Sequence, residues 1–275
     1  MARHRGAPAR SRLIVTADDF GLDTGVNEAV ELASREGILT TASLMVGAPA
    51  VADAVRRARR LPGLAVGLHL VLADGEAVLP REQVAMLTDE RGRFGDNMVK
   101  AGVRFFADPR ARRQLAAEVR AQFEAFRRHG LTLDHVNAHK HFHLHPTVLS
   151  TIVYIGREYG LAAVRVPREA GREGALYPWL MLMRRRLRRA GLRCNDYVLG
   201  LADTGAMDES RMLQGINRLA PGVTELYCHP ASRTGITPAM GDYRHTDELA
   251  ALLSPRVAAA VEAAGIERIS FRDLR

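Results

Sequence analysis

Four short stretches carry the residue types that hydrolytic chemistry uses. TADDFG (16–21) sets two adjacent carboxylates, Asp18 and Asp19, directly after an apolar run. GLHL (67–70) holds His69 among apolar neighbours, HVNAHKHFHLHP (135–146) holds five of the ten histidines, and YCHPA (227–231) holds His229 ahead of a proline. Carboxylates beside a core need a metal, a base or a cluster of donors, because burial without partners is strongly unfavourable. An aspartate at such a point also serves as a cap for the next turn, and a lone histidine in an apolar strand is ordinarily a satisfied core residue. Neither account explains a double aspartate together with histidines in register elsewhere.

Residues two apart on a strand face one way, so His135, Asn137, His139, His141 and His143 are expected to project together. A catalytic zinc keeps three protein ligands and one open position, so at most one or two of these histidines are ligands. The others would orient ligands, touch substrate or run into the loop before Pro146. The bland alternative is a metal-adsorbing surface that needs neither the aspartate pair nor His69. His229, at a strand end, suits a general acid facing a metal across a barrel mouth.

The elements that must position these residues alternate along the chain. β-Branched runs at 12–19, 40–46, 64–72, 133–139, 163–169, 223–230 and 267–274 read as strands. Helical spacing occupies 24–36, 50–60, 110–129, 146–159, 177–190, 207–219 and 246–264. Gly37, Gly130, Gly160, Gly191 and Gly265 follow helices, where a left-handed cap favours glycine. Strict alternation predicts about seven parallel strands with outer helices, as an α/β fold. The chain has no GxGxxG and no GxxxxGK[ST], and its polar residues sit at the C-terminal ends of strands. An irregular (β/α) barrel, TIM-barrel-like, is therefore expected over a doubly wound sheet. Residues 12–275 are expected to form a single domain behind a disordered basic tail at 1–11. The long connection 73–108 follows the strand that carries His69 and is expected to overhang the site as a lid.

With 47% hydrophobic and 25% charged residues, the composition is that of a soluble globular protein. Two cysteines, Cys194 and Cys228, supply no disulfide framework and suggest a reducing compartment, the cytoplasm. The net charge of +8 is almost wholly arginine, which draws a protein towards anionic surfaces. No recognised nucleic-acid module accompanies that charge, and no nucleic-acid partner is expected. YPWLMLMRRRLRRAGLR (177–193) combines apolar residues with an arginine run. That composition suits either a solvated barrel helix or a helix lying at the inner membrane face.

TADDFGLDTGVNEAV, LTTASLMV, VGLHL, LDHVNAHKHFH and ELYCHPA occur in the order and spacing of the YdjC-like family of carbohydrate deacetylases, which the chain resembles from residue 12 to about 270. VNAHKHFHLHP and the arginine-rich segment near 184 look like the hopanoid-biosynthesis-associated branch. The resemblance implies removal of acetyl from an N-acetylated amino sugar, in this branch an N-acetylglucosaminyl hopanoid lipid. It implies a divalent metal held by Asp19, His69 and His139, zinc before magnesium, with Asp18 as general base and His229 as general acid. It also places His141, His143, Arg165 and Arg168 where substrate contacts are expected, although a barrel-wall salt bridge is an equal use for the arginines. The family commonly has an aspartate and a histidine where this chain has Asn137 and Lys140, which alters the surroundings of the ligand position His139 but not the ligand. The readings held against this one are another metal-dependent barrel hydrolase, cleaving a glycosidic or phosphoester bond, and a non-enzymatic, membrane-associated metal-binding protein. A glycosidase would ordinarily need two carboxylates flanking the sugar, and only the adjacent pair is evident.

Overall fold

In a computed structural model, residues 11–171 and 174–274 are described; of the expected tail only Ser11 falls within them. The first half of the chain runs β1 (Arg12–Phe20), α1 (Thr24–Glu36), β2 (Thr41–Leu44), α2 (Val51–Ala58), β3 (Ala65–Leu70), α3 (Arg81–Val84), α4 (Met98–Ala107) and α5 (Pro109–Arg128). The second half runs β4 (Leu133–Ala138), α6 (Pro146–Gly156), α7 (Tyr177–Arg189), β5 (Tyr197–Leu199), α8 (Glu209–Ile216), β6 (Val223–Cys228), α9 (His245–Leu253), α10 (Pro255–Ala263) and β7 (Glu267–Ile269). The strands pair in parallel in the order β4-β3-β2-β1-β6-β5, with β7 added to β1. One edge of β1 carries β6. The other is shared, with β7 on Arg12–Ile14 and β2 from Thr16 onward. The sheet curls into a half-barrel surrounded by helices, as the alternating pattern predicts.

The gap between β4 and β5 is spanned by residues 163–169, which were expected to be a regular strand. They instead make isolated parallel bridges, Val136 to Val164 on one side, Ala163 to Arg193 and Glu169 to Val198 on the other. The ladder breaks because Pro167 has no N–H and because the Asn195 side chain takes both Val166 backbone groups, at 2.8 and 2.9 Å. The short β5 was not expected; three residues are too few to show a period. The predicted helix 246–264 is two, divided where Ser254 caps the helix that starts at Pro255. Residues 73–108 are not structureless: they contain α3 and α4 and are tied to α5, whose buried Glu118 accepts from Val78 N and Leu79 N. Gly37 is not a left-handed cap, with φ −114°. A Cβ there would lie 2.4 Å from the Leu252 carbonyl oxygen, so close approach is what requires glycine.

Alternation along β1 separates two environments. Leu13, Val15 and Ala17 join the main apolar core, whereas Ile14 belongs to a small plug with Ile269 and Phe271. Thr16 and Asp18, two and four residues beyond Ile14, face a polar interior. No helix among the described residues is long and apolar enough to cross a membrane.

Candidate metal centre and its buried charge network

Asp18 and Asp19 directly precede Phe20, the last residue of β1, His69 is the penultimate residue of β3, and His139 and His229 directly follow β4 and β6. All five therefore stand at the C-terminal ends of parallel strands. The capping account of the aspartates fails, since α1 is capped by Asp23, whose carboxylate accepts from Gly25 N at 2.7 Å.

One carboxylate oxygen of Asp19 and one ring nitrogen each of His69 and His139 lie within 4.8 Å of one another. His69 Nε2 is 3.3 Å and His139 Nδ1 is 3.2 Å from Asp19 Oδ1, yet neither is aligned to donate, and both Asp19 oxygens are buried without a hydrogen-bond partner. The Asp19 backbone is left-handed, φ 62°, which aspartate tolerates better than most residues.

Asn137 explains why His69 turns a lone pair towards Asp19. In the register β3 to β4, His69 pairs with Asn137. The Asn137 Nδ2 donates to Asp18 Oδ1 at 3.0 Å and Ser43 Oγ at 2.9 Å, so its Oδ1 must be the atom 2.6 Å from His69 Nδ1. His69 then carries its proton on Nδ1 and offers Nε2 as an acceptor. An acceptor facing an acceptor at 3.3 Å is the geometry of cation ligands. Two imidazoles and a carboxylate form a donor set that suits zinc, and the residues present fit such a metal.

Asp18, beside it, is fully partnered. Arg165 donates to both Asp18 oxygens, at 2.6 and 3.0 Å, and to both Glu225 oxygens, at 2.9 and 2.6 Å. Thr16 Oγ1 also donates to Glu225, and the guanidinium lies 5.0 Å over the Tyr227 ring. Burial raises the Asp18 carboxyl, but the Arg165 guanidinium holds it far below the ordinary range. Asp18, Asp19 and Glu225 place three carboxylates against one guanidinium in a region with almost no solvent exposure. The two negative charges left over match one divalent cation.

The histidine run does not continue as a strand. β4 ends at Ala138, and the chain turns through Lys140 (φ 52°) and His141 (φ 55°) into a 3₁₀ segment. The expected common face therefore holds for His135, Asn137 and His139 and is lost beyond. His135 is a filler of the barrel interior, bonded to Ser43 and Asp134 and stacked 4.3 Å from Phe271. A Cβ on Gly67 would lie 2.3 Å from that ring, so the GLHL glycine is needed where the imidazole passes. His143 is fully buried and Arg165 is committed to the buried salt bridge just described, and neither lines the metal-site cavity. Arg168 lies over the rings of Tyr177 and Tyr197, at 5.3 and 4.8 Å, away from the metal-site cavity. Only His141 of this group lines that cavity, where burial, then Arg165, pushes its imidazole down to about 3 and keeps it neutral.

That cavity, about 130 Å³, is bounded by Asp18, His69, His139, His141, Tyr227, His229 and Tyr243. It shares Asp74, His139, Ala239 and Met240 with a groove of about 900 Å³ that runs past Met45, Val71 and Ile236. A Lys140–Asp74 ion pair of 2.7 Å stands between them. His229 is fixed through its backbone, its N–H donating to buried Glu248 and its carbonyl accepting from His245. Its Nδ1 is buried without a partner. Sequence reasoning missed Glu225, Tyr227, Tyr243 and Glu248. A charge inside VTELYC was a signal for Glu225; nothing local marked the other three.

The model of the YdjC-like protein family matches residues 12–263. A carbohydrate deacetylase of Geobacillus stearothermophilus is 31% identical over 266 residues, 94% of this chain and 96% of that one. A carbohydrate deacetylase of Brevibacillus brevis is 38% identical over 172 residues, which is 62% of this chain and 60% of the relative's length. Among solved structures, one from Enterococcus faecalis V583, described as a candidate cellobiose-phosphate cleavage protein, superposes with a TM-score of 0.79. It is 27% identical and covers 96% of this chain and 98% of its own. The family match spans nearly the whole described chain and includes every residue of the converging triad, so this protein belongs to the YdjC-like family.

Proposed function

We propose that this protein removes the acetyl group from an N-acetylated amino sugar by metal-dependent hydrolysis. The observation that carries the reading is the convergence of Asp19, His69 and His139 around two unpartnered carboxylate oxygens, beside a second carboxylate locked in place by Arg165. A divalent cation held there, zinc before magnesium, supplies a Lewis acid that polarises an acetamide carbonyl and acidifies water. Asp18 acts as the base: Arg165 and Asn137 fix the direction of its oxygens and keep it ionised, ready to accept the water proton. His229 acts as the acid, its backbone anchored by Glu248 and His245 and its Nδ1 without a protein partner, and gives a proton to the departing amine. His141 touches substrate as a neutral imidazole. Residues 73–108 cover the site, with the Asp74–Lys140 pair at its mouth.

The substrate we propose is an N-acetylglucosaminyl hopanoid lipid. The 900 Å³ groove supports it, because Met45, Val71, Ile236 and Met240 offer apolar contact beside charged Asp53, Arg56 and Arg93. A glycolipid substrate goes with a cytoplasmic protein that associates peripherally with the inner membrane face through 177–193. Cleavage of a glycosidic bond is less well served, since Asp74, the other acid lining the cavity, is paired with Lys140. The test is metal content and acetate release in wild type, Asp19→Ala, His69→Ala and His139→Ala, with the glycolipid and an N-acetyl chitooligosaccharide as substrates. One tightly held divalent ion per chain, lost with activity in all three variants, is the expected result. Several ions that persist in Asp19→Ala would transfer metal binding to the histidine run and end this reading.

A further inference from the structure

We propose that α4, α6 and α7 together form a face that seats on an anionic lipid bilayer beside the mouth of the metal centre. The proposal extends the contact given above for 177–193, and it rests on the glycolipid reading for why such a surface is needed. Among the described residues the large exposed apolar side chains are Val99 (79%), Val103 (63%), Phe106 (70%), Tyr154 (71%), Leu176 (58%) and Leu182 (47%). All of them lie on these three helices or at the α7 N-cap.

The three helices are neighbours. Spacings of four and three residues align Val99, Val103 and Phe106 along one stripe of α4. The opposite face of α4 is buried, with Phe105 5.6 Å from Phe142 and 6.3 Å from His145, at the entrance to α6. On the other flank of the same segment, Trp179 of α7 donates to the Leu144 carbonyl at 2.8 Å and Arg186 donates to Ser150 at 2.9 Å. Both helices thus brace the stretch that opens with the ligand position His139.

Charge selects the occupant. Arg185, Arg188 and Arg189 are exposed and have no carboxylate partner among the described residues, while Arg184 pairs with Asp196. With Met181 they border an open hollow of about 540 Å³, and Lys100 and Arg104 flank the α4 stripe. An anionic bilayer supplies phosphates for the guanidiniums and an apolar phase for the stripe at one depth. A second copy related by a two-fold axis would bring the arginine faces together. Nucleic acid would leave Val99, Val103, Phe106 and Leu182 in water. Because His139 borders the groove and opens the segment that these helices brace, the proposed face would let a glycolipid approach the site from the bilayer.

Flotation of the whole protein with phosphatidylcholine vesicles, and with mixed phosphatidylcholine–phosphatidylglycerol vesicles, tests the face. The expected result is salt-sensitive binding to the mixed vesicles alone. That binding falls about tenfold in Val103→Asp/Phe106→Asp and again in Arg185→Glu/Arg188→Glu, both of which keep wild-type circular dichroism, the second with wild-type activity on a water-soluble N-acetyl chitooligosaccharide. Equal partition of wild type and variants, or no partition by wild type, would overturn the proposal. So would self-association or duplex-DNA binding that these substitutions abolish while vesicles stay unbound. Partition without any deacetylation would sink the enzymatic reading and leave the surface standing; deacetylation without partition would do the reverse.

Discussion

Asp18 and Asp19 are consecutive and equally buried, yet the protein treats them in opposite ways. Each oxygen of Asp18 is held by Arg165, with Asn137 adding a further donor, so both its oxygens are satisfied within the fold. Both oxygens of Asp19 lack a donor, and its Oδ1 faces two ring nitrogens, so its charge is left for something the fold does not contain. The difference separates a group that needs a fixed direction from a group that needs an open coordination position. It arises because successive strand residues project to opposite sides and because Asp19 enters the left-handed region.

Substitutions can break this contrast. The largest expected effect is on activity: Asp19→Ala should lose the metal and lower deacetylation about 10³-fold or more, read as acetate release beside elemental analysis. Stability should move the other way at the same residue. In chelator-treated protein, Asp19→Asn should melt at or above wild type, since it removes a buried charge without a partner, and a lower melting temperature would show that Asp19 is structurally satisfied. Arg165→Met should destabilise by about 3–5 kcal/mol in urea unfolding, because Asp18 and Glu225 would both be left buried and uncompensated. His229→Gln should lower kcat about 10²-fold with metal content unchanged, and a matching loss of metal would make it a ligand instead. The smallest effect sharpens the contrast at its boundary: Asn137→Ala should weaken metal affinity about 10- to 100-fold, measured by competition with a chromogenic chelator, and lower stability by about 1–3 kcal/mol as its buried partners lose their bonds.

Much of the frame is legible in the sequence, since strand alternating with helix is a local pattern and six of the seven parallel strands follow from it. The failures are at places where a side chain from far away replaces a backbone partner. Residues 163–169 look like a strand by composition, but Asn195, about thirty positions on, takes the Val166 backbone groups. His141 and His143 look like strand residues by alternation, but the chain turns at Lys140. The arginine RVPRE shows its charge in the sequence and hides its partner, because Glu225 is 60 residues away.

The sequence by itself determined the family, and through that resemblance pointed to Asp19, His69 and His139, because motifs at strand ends keep their residue types and order whatever surrounds them. Only the tertiary structure decided which aspartate is satisfied from within, which nitrogen of His69 is free and which histidines are merely filling. Those outcomes depend on hydrogen bonds across β1, β3 and β4 and on a guanidinium reaching between strands. No local pattern records how distant side chains divide a limited set of donors.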